Sequence, residues 1–434
     1  MGIQTSADAV YHLQRRGPGL YLCQPEGKPK PPAYEVEIED ALMKPLVSGA
    51  EAKRYLEPVT HTYLLFPYRA GPAGVRLIED AAMRAEFPKA WTYLNSHGET
   101  LRLREAKRNK GGEVLEAPFD DAAWYRFGRH QNLDKQEIVK LIVAQTVPEM
   151  RVCLDAAAAA YLNNVRVNGI VAAKGEDPWF LLGVLNARVA DFVFRRIAKV
   201  KDGGYFEANK QFIAPLPIPP ATEVERADVA ARARALQSVH TQRRDLLGRI
   251  ARRLSTLRVC SRPETWLFPS LKAKNDLAAE APSRLDPDKK REWAEKRYET
   301  DLAAILDAIS PRLLPGAVLS AAFADGELSF SVDGVPVVER VFAGVAEGEF
   351  IAAQWKVLAA TFSITDATDG RKLSVALRKL AAPDNPAVVQ QVIALEAELS
   401  GLEVDIAAKE AEMNGLINRL YGLTEAERRL VVKG

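Results

Sequence analysis

The chain has 434 residues, of which 47% are hydrophobic and 27% charged, a composition typical of a folded globular protein rather than a disordered one. The length predicts two or three domains, and no apolar run reaches the roughly 18 residues that a membrane-spanning helix needs. The 59 basic and 57 acidic residues leave a net charge of +2, which excludes a strongly basic or acidic protein. The N-terminus lacks the pattern of a signal peptide, so we expect a cytoplasmic protein.

The first 220 residues alternate short predicted strands and helices. In chain order they are a strand with a helical turn at 36–49, a strand at 60–70, helices at 80–108, strands at 135–147 and 168–174, and a helix at 177–199. Pro67 ends the strand at 60–70, and Pro88 interrupts the helical stretch. Asp177 is suited to cap the last helix, with Pro178 at its first position. The irregular alternation predicts an α+β domain.

A proline-rich segment closes this region. "APLPIPPA" at 214–221 cannot sustain a helix or a central strand, which predicts an extended linker. Residues 223–258 then carry apolar side chains at helical spacing. The segment 317–344 alternates and has Asp-Gly pairs at 325–326 and 333–334, which predicts a small β meander.

The C-terminal segment predicts the longest helix. From Val388 to Leu420 the apolar residues follow spacings of four and three, the seam of a coiled coil, interrupted where Lys409 takes a core position. The simplest partner is the 223–258 helix, packed antiparallel, although another subunit is an alternative. That helix has 8 arginines between Arg232 and Arg258, and we expect this basic face to stay free for an anionic partner.

The motifs of several enzyme classes are missing. The three cysteines, Cys23, Cys153 and Cys260, form no Cys-x-x-Cys pair, and the 5 histidines are scattered, so we expect neither a disulfide framework nor a metal site. The chain has no glycine-rich turn for S-adenosylmethionine and no Asn/Asp-Pro-Pro-aromatic loop. "FAGVAEG" at 342–348 is a lone glycine pattern. We therefore expect no catalytic, cofactor-binding or metal site in this chain.

Two functional hypotheses remain open at this point, a nuclease and a scaffold protein. A metal-dependent nuclease would use Glu105 and Lys107 with Asp80 or Asp120 as a distant acid, a triplet that arises by chance in most chains of this size. A scaffold protein would bind another subunit through its helices and never touch DNA. Metal-dependent cutting of plasmid would support the nuclease, and the absence of a salt-dependent gel shift would support the scaffold.

Six segments in a fixed order indicate a family. They are "GIQTSADAVYHL" (2–13), "VEIEDALMKPLVSGAEAKRYL" (36–56), "LLFPYR" (64–69), "WYRFGRHQNL" (124–133), the stretch 181–219 that ends in "APLPIP", and "LINRLYGLTEAE" (416–427). Together they closely resemble the TaqI-like C-terminal specificity region of adenine-specific DNA methyltransferases, including fused type II restriction-modification enzymes. The resemblance covers residues 1–220 and 390–434.

The resemblance implies a function. In that family the catalytic domain precedes this region, so the chain is expected to be the specificity half of a split enzyme or a fragment of a longer one. It implies binding to double-stranded DNA in a restriction-modification or related phage-defence system. The target adenine would be presented to a separate catalytic domain that binds S-adenosylmethionine. The expected domains are a target recognition domain (1–220), a helical segment (221–310), a β insertion (311–365) and a coiled-coil helix (366–434).

The expected DNA contacts fall in three zones. DNA recognition needs cations for phosphates and planar donors for base edges. The first zone, residues 124–133, is called the arginine loop, and the second includes residues 199–207, called the glycine hairpin. The candidate residues are Tyr125, Arg126, Arg129 and Gln131 in the first zone, Lys199, Lys201, Gly203, Gly204, Tyr205 and Lys210 in the second, and Lys44, Lys53, Arg54 and Tyr55 in the third.

Each zone has a specific expectation. Trp124 and Tyr125 alternate, so one is expected to face the core and the other the duplex, while Gly128 lets the backbone approach a partner. In the glycine hairpin, Gly203 and Gly204 permit a tight turn whose amides point at a phosphate. The alternatives are arginines that only cap helices and a β-turn with solvated lysines.

Overall fold

The computed structural model describes residues 2–71, 74–164, 166–314, 317–362, 364–365 and 367–433. The protein is a mixed α+β molecule, as the sequence predicts. It divides into two compact units: unit 1 comprises Met1–Lys201, Tyr205–Ser238 and Lys409–Gly434, and unit 2 comprises Asp202–Gly204 and Val239–Ala408. Two of these boundaries lie inside long helices and none lies in the proline-rich segment 214–221, so the predicted domain boundaries stay a prediction.

Helices and short strands follow one another along the chain. The helices are α1 (Asp8–Tyr11), α2 (Asp80–Glu86), α3 (Pro88–Ser96), α4 (Gly98–Leu103), α5 (Pro178–Leu185), α6 (Arg188–Ile197), α7 (Lys210–Ile213), α8 (Glu223–Leu254), α9 (Glu264–Leu267), α10 (Lys274–Glu280), α11 (Pro287–Ile309), α12 (Val345–Thr361), α13 (Gly370–Arg378), α14 (Pro386–Leu420) and α15 (Glu425–Lys433). The strands are β1 (His12–Gly17), β2 (Leu20–Cys23), β3 (Tyr34–Glu37), β4 (Met43–Val47), β5 (Thr62–Leu65), β6 (Tyr68–Gly71), β7 (Gly74–Leu77), β8 (Lys107–Arg108), β9 (Val114–Glu116), β10 (Lys140–Ala144), β11 (Thr146–Val147), β12 (Val152–Asp155), β13 (Tyr161–Leu162), β14 (Val167–Ile170), β15 (Phe206–Glu207), β16 (Leu319–Ala324), β17 (Glu327–Val332) and β18 (Val335–Phe342). Of the helices in the described ranges, none is long and apolar enough to cross a lipid bilayer.

The main sheet of unit 1 has the strand order β13-β4-β5-β1-β2-β3. All neighbours are antiparallel except β13 and β4, which run parallel. An aromatic core packs beside it, in which the Tyr68 and Phe127 rings lie 4.8 Å apart and the Phe66 and Tyr161 rings 5.0 Å apart. Because Phe127 belongs to the arginine loop, this core fixes the loop from beneath.

A second sheet of unit 1 has the order β12-β10-β14 and centres on a fully buried strand. Strand β10 begins at Lys140, whose side chain is 0% exposed. Its Nζ donates to Asp155 Oδ2 at 2.6 Å, to the Gln136 carbonyl at 2.6 Å and to the Ile138 carbonyl at 3.2 Å. All three ammonium protons therefore have acceptors, which a buried cation requires.

The predicted helix at 177–199 is two helices. Asp177 caps α5 by accepting from the Trp179 amide at 2.8 Å, with Pro178 in the first turn, as predicted. The prediction of a single helix was wrong. At the end of α5, the Asn186 side chain accepts from the Val152 amide and donates to the Val152 carbonyl on β12. The backbone becomes extended at Ala187, with a ψ of 148°, and α6 begins at Arg188.

In unit 1, α5 also packs against two long helices. A Cβ at Gly183 would lie 2.6 Å from Val229 of α8 and 3.3 Å from Met413 of α14, so only glycine allows this approach. Arg232 of α8 and Glu412 of α14 form an ion pair at 2.6 Å.

Unit 2 contains the predicted meander, β16-β17-β18. Its two turns have positive φ at Asp325 and Gly326 and at Asp333 and Gly334, the conformation of two-residue hairpin turns, so the prediction is confirmed. The meander forms a core with helices α9, α11, α12 and α13, in which Trp355 is buried.

The seam of α14 packs antiparallel to α8 within unit 2, as the ion pairs Arg243–Glu403 at 3.2 Å and Arg249–Glu398 at 3.7 Å show. The expectation of a simple pair was incomplete, because Phe350 of α12 shares the same core. The expected free basic face was wrong in part: Arg232, Arg243 and Arg249 pair with acids of α14, whereas Arg252 and Arg253 are exposed.

Candidate nucleic-acid interface

The aromatic side chains of the arginine loop all face the core. Trp124 is 4% exposed and Tyr125 is 1% exposed, so the expectation that one of them faces a duplex is wrong. The reason is the backbone: the amides of Trp124 and Arg126 bond the carbonyls of Asp121 and Ala123 in consecutive turns, which removes the alternation of a strand. The Tyr125 hydroxyl donates to the Ile78 carbonyl at 2.5 Å, and burial raises the pKa of Tyr125 to about 12.

Arg126 is a structural residue. Its guanidinium pairs with Asp121 at 2.6 Å, donates to the Pro118 carbonyl at 2.7 Å and to the Ala123 carbonyl at 3.1 Å, and stacks over Phe119. Only 19% of its side chain is exposed. Three of its five N–H donors hold the turn at 118–126, which leaves Arg126 less available than Arg129 for the predicted DNA contact.

A buried cation lies beneath the loop. Arg104 is 8% exposed, donates to the Arg126 carbonyl and stacks over Phe119. Burial lowers the pKa of its guanidinium. Within the described ranges no carboxylate forms an ion pair with it, and the Arg126 carbonyl and the Phe119 ring are its neighbours.

Arg129, in contrast, remains at the surface. Its side chain is 46% exposed, and its Nη1 lies 3.2 Å and 3.4 Å from the two oxygens of Glu105. Gly128 was expected to let the backbone approach a partner molecule, but the structure gives it another role. A Cβ there would lie 1.9 Å from Ser6 Oγ, so the glycine admits the chain's own N-terminal segment.

That N-terminal segment pairs with the backbone of Arg129. The Arg129 amide donates to the Gln4 carbonyl at 3.2 Å, and Ile3 bonds Leu162 and Asn164 on the other side. The side chains of Asn164 and Gln4 are 3.5 Å apart. We call four residues the guanidinium–amide patch: Gln4, Arg129, Gln131 and Asn164. Gln4 is bonded to Arg129 through the backbone and to Asn164 through its side chain, and Gln131 is the exposed residue two positions after Arg129.

Nothing local in the sequence marks Gln4 or Asn164 as site residues. They are 160 positions apart, and only the pairing of residues 3–5 between two other segments brings them together. The one available signal was "GIQTSAD", a resemblance segment that contains Gln4.

The far end of the loop is also fixed. Asn132 has a left-handed φ of 65°, and its carbonyl accepts from the Gln136 side chain at 2.7 Å. The Gln136 side-chain oxygen accepts in turn from the Leu162 amide at 2.9 Å. Gln131 therefore lies on a short segment that is anchored at both ends.

The glycine hairpin has the tight turn that the sequence predicts. Gly203 and Gly204 have φ values of 72° and 75°, and the Lys201 amide donates to the Tyr205 carbonyl at 2.7 Å. Lys199 is exposed, whereas Lys201 pairs with Glu207 at 3.2 Å. Lys210 is exposed at the start of α7. A phosphate contact stays a prediction.

Backbone bonds connect the residue that follows this hairpin, Ala208, to Arg166. The Ala208 amide donates to the Gln145 carbonyl at 2.8 Å, and the Gln145 amide donates to the Arg166 carbonyl at 2.9 Å. Arg166 is exposed and follows Asn164 by two positions. These bonds connect Ala208 with Arg166 within unit 1, whereas Gly203 and Gly204 at the tip of the hairpin belong to unit 2.

Most residues of the third predicted zone have contacts within the chain. Lys44 pairs with Glu137 at 3.2 Å, and Arg54 pairs with Glu410 at 3.4 Å. Tyr55 is 1% exposed, and burial raises the pKa of its hydroxyl. Tyr55 cannot contact DNA in this conformation, and of the four residues Lys53 alone is classed as exposed.

The residues of the nuclease hypothesis each have a separate partner. Glu105 accepts from Ser6, Lys107 pairs with Glu116 at 2.5 Å, Asp80 with Arg84 at 3.0 Å and Asp120 with Arg102 at 3.0 Å. Throughout the ranges that the structure describes, no group of three or more His, Cys, Asp or Glu side chains has the arrangement of a metal site.

A scan of the sequence against models of known protein families gives no match, and a search of the curated proteins gives no significantly similar sequence. A functional proposal therefore depends on the mixed α+β fold and on the guanidinium–amide patch of unit 1.

Proposed function

We propose that this chain is the sequence-recognition subunit, or a fragment, of a TaqI-like adenine-specific DNA methyltransferase in a restriction-modification or related phage-defence system. It binds double-stranded DNA and presents the target adenine to a separate catalytic domain, which binds S-adenosylmethionine. The observation that carries the proposal is the guanidinium–amide patch, where the Arg129 amide bonds the Gln4 carbonyl and the side chains of Gln4 and Asn164 are 3.5 Å apart.

The chemistry of this patch suits base edges. Arginine binds guanine O6 and N7 in a bidentate manner, and asparagine or glutamine binds adenine N6 and N7 in the same way. Gln4, Arg129 and Gln131 also lie in two of the segments that carry the family resemblance. Reading requires fixed geometry, and the backbone on both sides of Arg129 is hydrogen-bonded.

Phosphate contacts are assigned to the lysines. Lys199 and Lys210 are exposed, and Lys53 is a further exposed cation of unit 1. Such contacts set the register on the duplex and carry no sequence information. The finer arrangement belongs to the same proposal: residues 1–220 act as the recognition domain, the helices α8 and α14 join the catalytic partner, and the protein acts in the cytoplasm.

The first test is DNA binding by the purified full chain. Selection from a random duplex pool yields the preferred sequence, and fluorescence anisotropy then measures affinity at several salt concentrations. Arg129→Met is expected to weaken binding to the preferred duplex by about 1–3 kcal/mol, a factor of roughly 5 to 150, and to leave binding to random duplex nearly unchanged. The absence of any salt-dependent binding would refute the proposal and favour the scaffold.

A second test concerns the division of labour between subunits. Because the motifs for S-adenosylmethionine do not occur in the sequence, calorimetry is expected to detect no micromolar binding of this cofactor by the chain alone. Micromolar binding would mean that the chain carries a methyltransferase site of its own.

A further inference from the structure

We propose that Glu105 is a specificity-determining residue: its carboxylate orients the Arg129 guanidinium toward a base edge and repels backbone phosphates from it. This inference rests on the proposed function and adds to it a residue that the family resemblance does not mark.

The geometry of the carboxylate supports this role. Glu105 Oε1 accepts from Ser6 Oγ at 2.5 Å and lies 3.4 Å from Arg129 Nη1, while Oε2 lies 3.2 Å from the same nitrogen. Ser6 is 99 positions away in the sequence. The Glu105 carboxylate is therefore fixed by a residue that is distant in the sequence as well as by its ion-pair partner, whereas an ordinary surface ion pair has the partner alone.

Three backbone features are needed to bring these groups together. Ser6 and Glu105 have φ values of 59° and 56°, in the left-handed region that side-chain-bearing residues seldom adopt. The third is Gly128, because a Cβ at that position would overlap Ser6 Oγ. Strained backbone of this kind persists where the surroundings impose it, and it is concentrated at functional sites.

The remaining hydrogen-bonding capacity of Arg129 points outward. In the part of the chain that the structure describes, its side-chain bonds to Glu105 and to the Gly128 carbonyl are all made by Nη1. The edge formed by Nε and Nη2 is left for a ligand. Two parallel donors on one edge match guanine O6 and N7.

Charge then discriminates between ligands. The Ser6 hydroxyl, followed by Arg129, holds the pKa of Glu105 below its ordinary value, so the carboxylate is ionised at neutral pH. A phosphate that approached the guanidinium would meet this like charge, whereas a guanine edge is neutral. Lys199 and Lys210, for which the described ranges show no acidic partner, lack this discrimination.

The experiment uses the full chain with Glu105→Gln, which keeps the shape and an acceptor oxygen but removes the charge. Binding to random duplex is expected to strengthen several-fold, and the slope of log affinity against log salt is expected to steepen by about 0.9, the value for one added phosphate contact. The affinity ratio of preferred to random duplex should fall.

Two further variants make the result specific. Glu295→Gln changes the net charge equally at an exposed ion pair of unit 2, with Lys274 at 2.6 Å, and is expected to leave the slope unchanged. Arg129→Ala in the Glu105→Gln background should abolish the gain, since the added phosphate is proposed to bind there. Ser6→Ala keeps the charge but removes the hydrogen bond that fixes the carboxylate, so the affinity ratio of preferred to random duplex should fall while the slope changes less than in Glu105→Gln. This variant provides the test if Glu105→Gln does not fold.

The outcomes separate the two proposals. If the unmodified chain prefers a sequence and Glu105→Gln changes neither the salt slope nor the affinity ratio, Glu105 has no role in specificity, while the proposed function stands. If the unmodified chain binds no DNA, the proposed function fails and this inference fails with it.

Discussion

Two ion pairs lie at opposite ends of the segment 129–140, and they differ in nearly every respect. Lys140 and Asp155 are 0% and 5% exposed, whereas Arg129 and Glu105 are 46% and 35% exposed. The buried ammonium has an acceptor for each proton, while the arginine has donors to spare. A charge whose bonds are all made inside the chain shapes the fold, and one with unused donors is available to a ligand.

Arg126 belongs with the buried pair despite its place in the sequence. It is three positions from Arg129 and of the same residue type, yet it donates to two carbonyls and a carboxylate of its own loop. Residue type and local sequence therefore do not separate a structural arginine from a ligand-binding one. The two kinds of arginine differ in the number of N–H donors that have no acceptor within the described part of the chain.

The largest expected effect comes from the buried pair. Lys140→Met leaves the Asp155 carboxylate buried without its cation, and the free energy of unfolding should fall by about 3–5 kcal/mol. Urea denaturation followed by tryptophan fluorescence measures the loss. Lys135→Met, at an exposed lysine nearby, is the matched control and should change stability by less than about 0.5 kcal/mol. A loss below about 1 kcal/mol for Lys140→Met would erase the contrast between the two pairs.

The next effect separates the two arginines of the loop. Arg126→Met removes three hydrogen-bonded contacts from a half-buried site and should lower the free energy of unfolding by about 2 kcal/mol. Arg129→Met should cost less than about 1 kcal/mol, as an exposed ion pair does. Denaturation of both variants under one set of conditions gives the comparison. Equal losses would mean that Arg129 is as structural as Arg126.

A smaller effect concerns the lysines of the second zone. Lys199→Ala with Lys210→Ala should weaken binding to preferred and random duplexes alike and should flatten the salt slope by about 1.8, the value for two phosphates. The control exchanges Lys289 and Lys296, exposed lysines of α11, for alanine. A loss confined to the preferred duplex would contradict the assignment to phosphates.

The smallest effect is a pH dependence of the exposed pair. The pKa of Glu105 is lowered in the folded chain, so its contribution to stability is present above the unfolded pKa of about 4.5 and is lost as pH falls through the lower, folded value. The unfolding free energies of the unmodified chain and Glu105→Gln should differ by less than about 1 kcal/mol at pH 7. They should converge in acid. A difference that grows as pH falls would have the wrong sign.

Local signals explain which elements were predictable. The Asp-Gly turns of the meander and the Asp177–Pro178 start of α5 depend on neighbouring residues, and both are confirmed. The seam of α14 was visible from its spacing, but the contribution of Phe350 to its core was not, because α12 reaches it from elsewhere in unit 2.

The candidate site was harder to predict because its geometry is set by distant contacts. Tyr125 was expected outside on the basis of strand alternation, but consecutive turns place it in the core. The guanidinium of Arg126 is held by Pro118 and Asp121, which lie in a loop without periodic sequence. Gln4 and Asn164 meet only because the N-terminal segment pairs between two others.

The two anchors of the arginine loop have a consequence for how specificity changes. Gly128 and Gln136 are held by groups outside the intervening stretch, Thr5 at one end and Leu162 at the other. The exposed Gln131 lies between them and takes no part in these two anchoring hydrogen bonds. Under the proposed function, exchange of this one side chain should therefore change the preferred base pair while the thermal stability stays the same, so that a single codon change would give a new specificity.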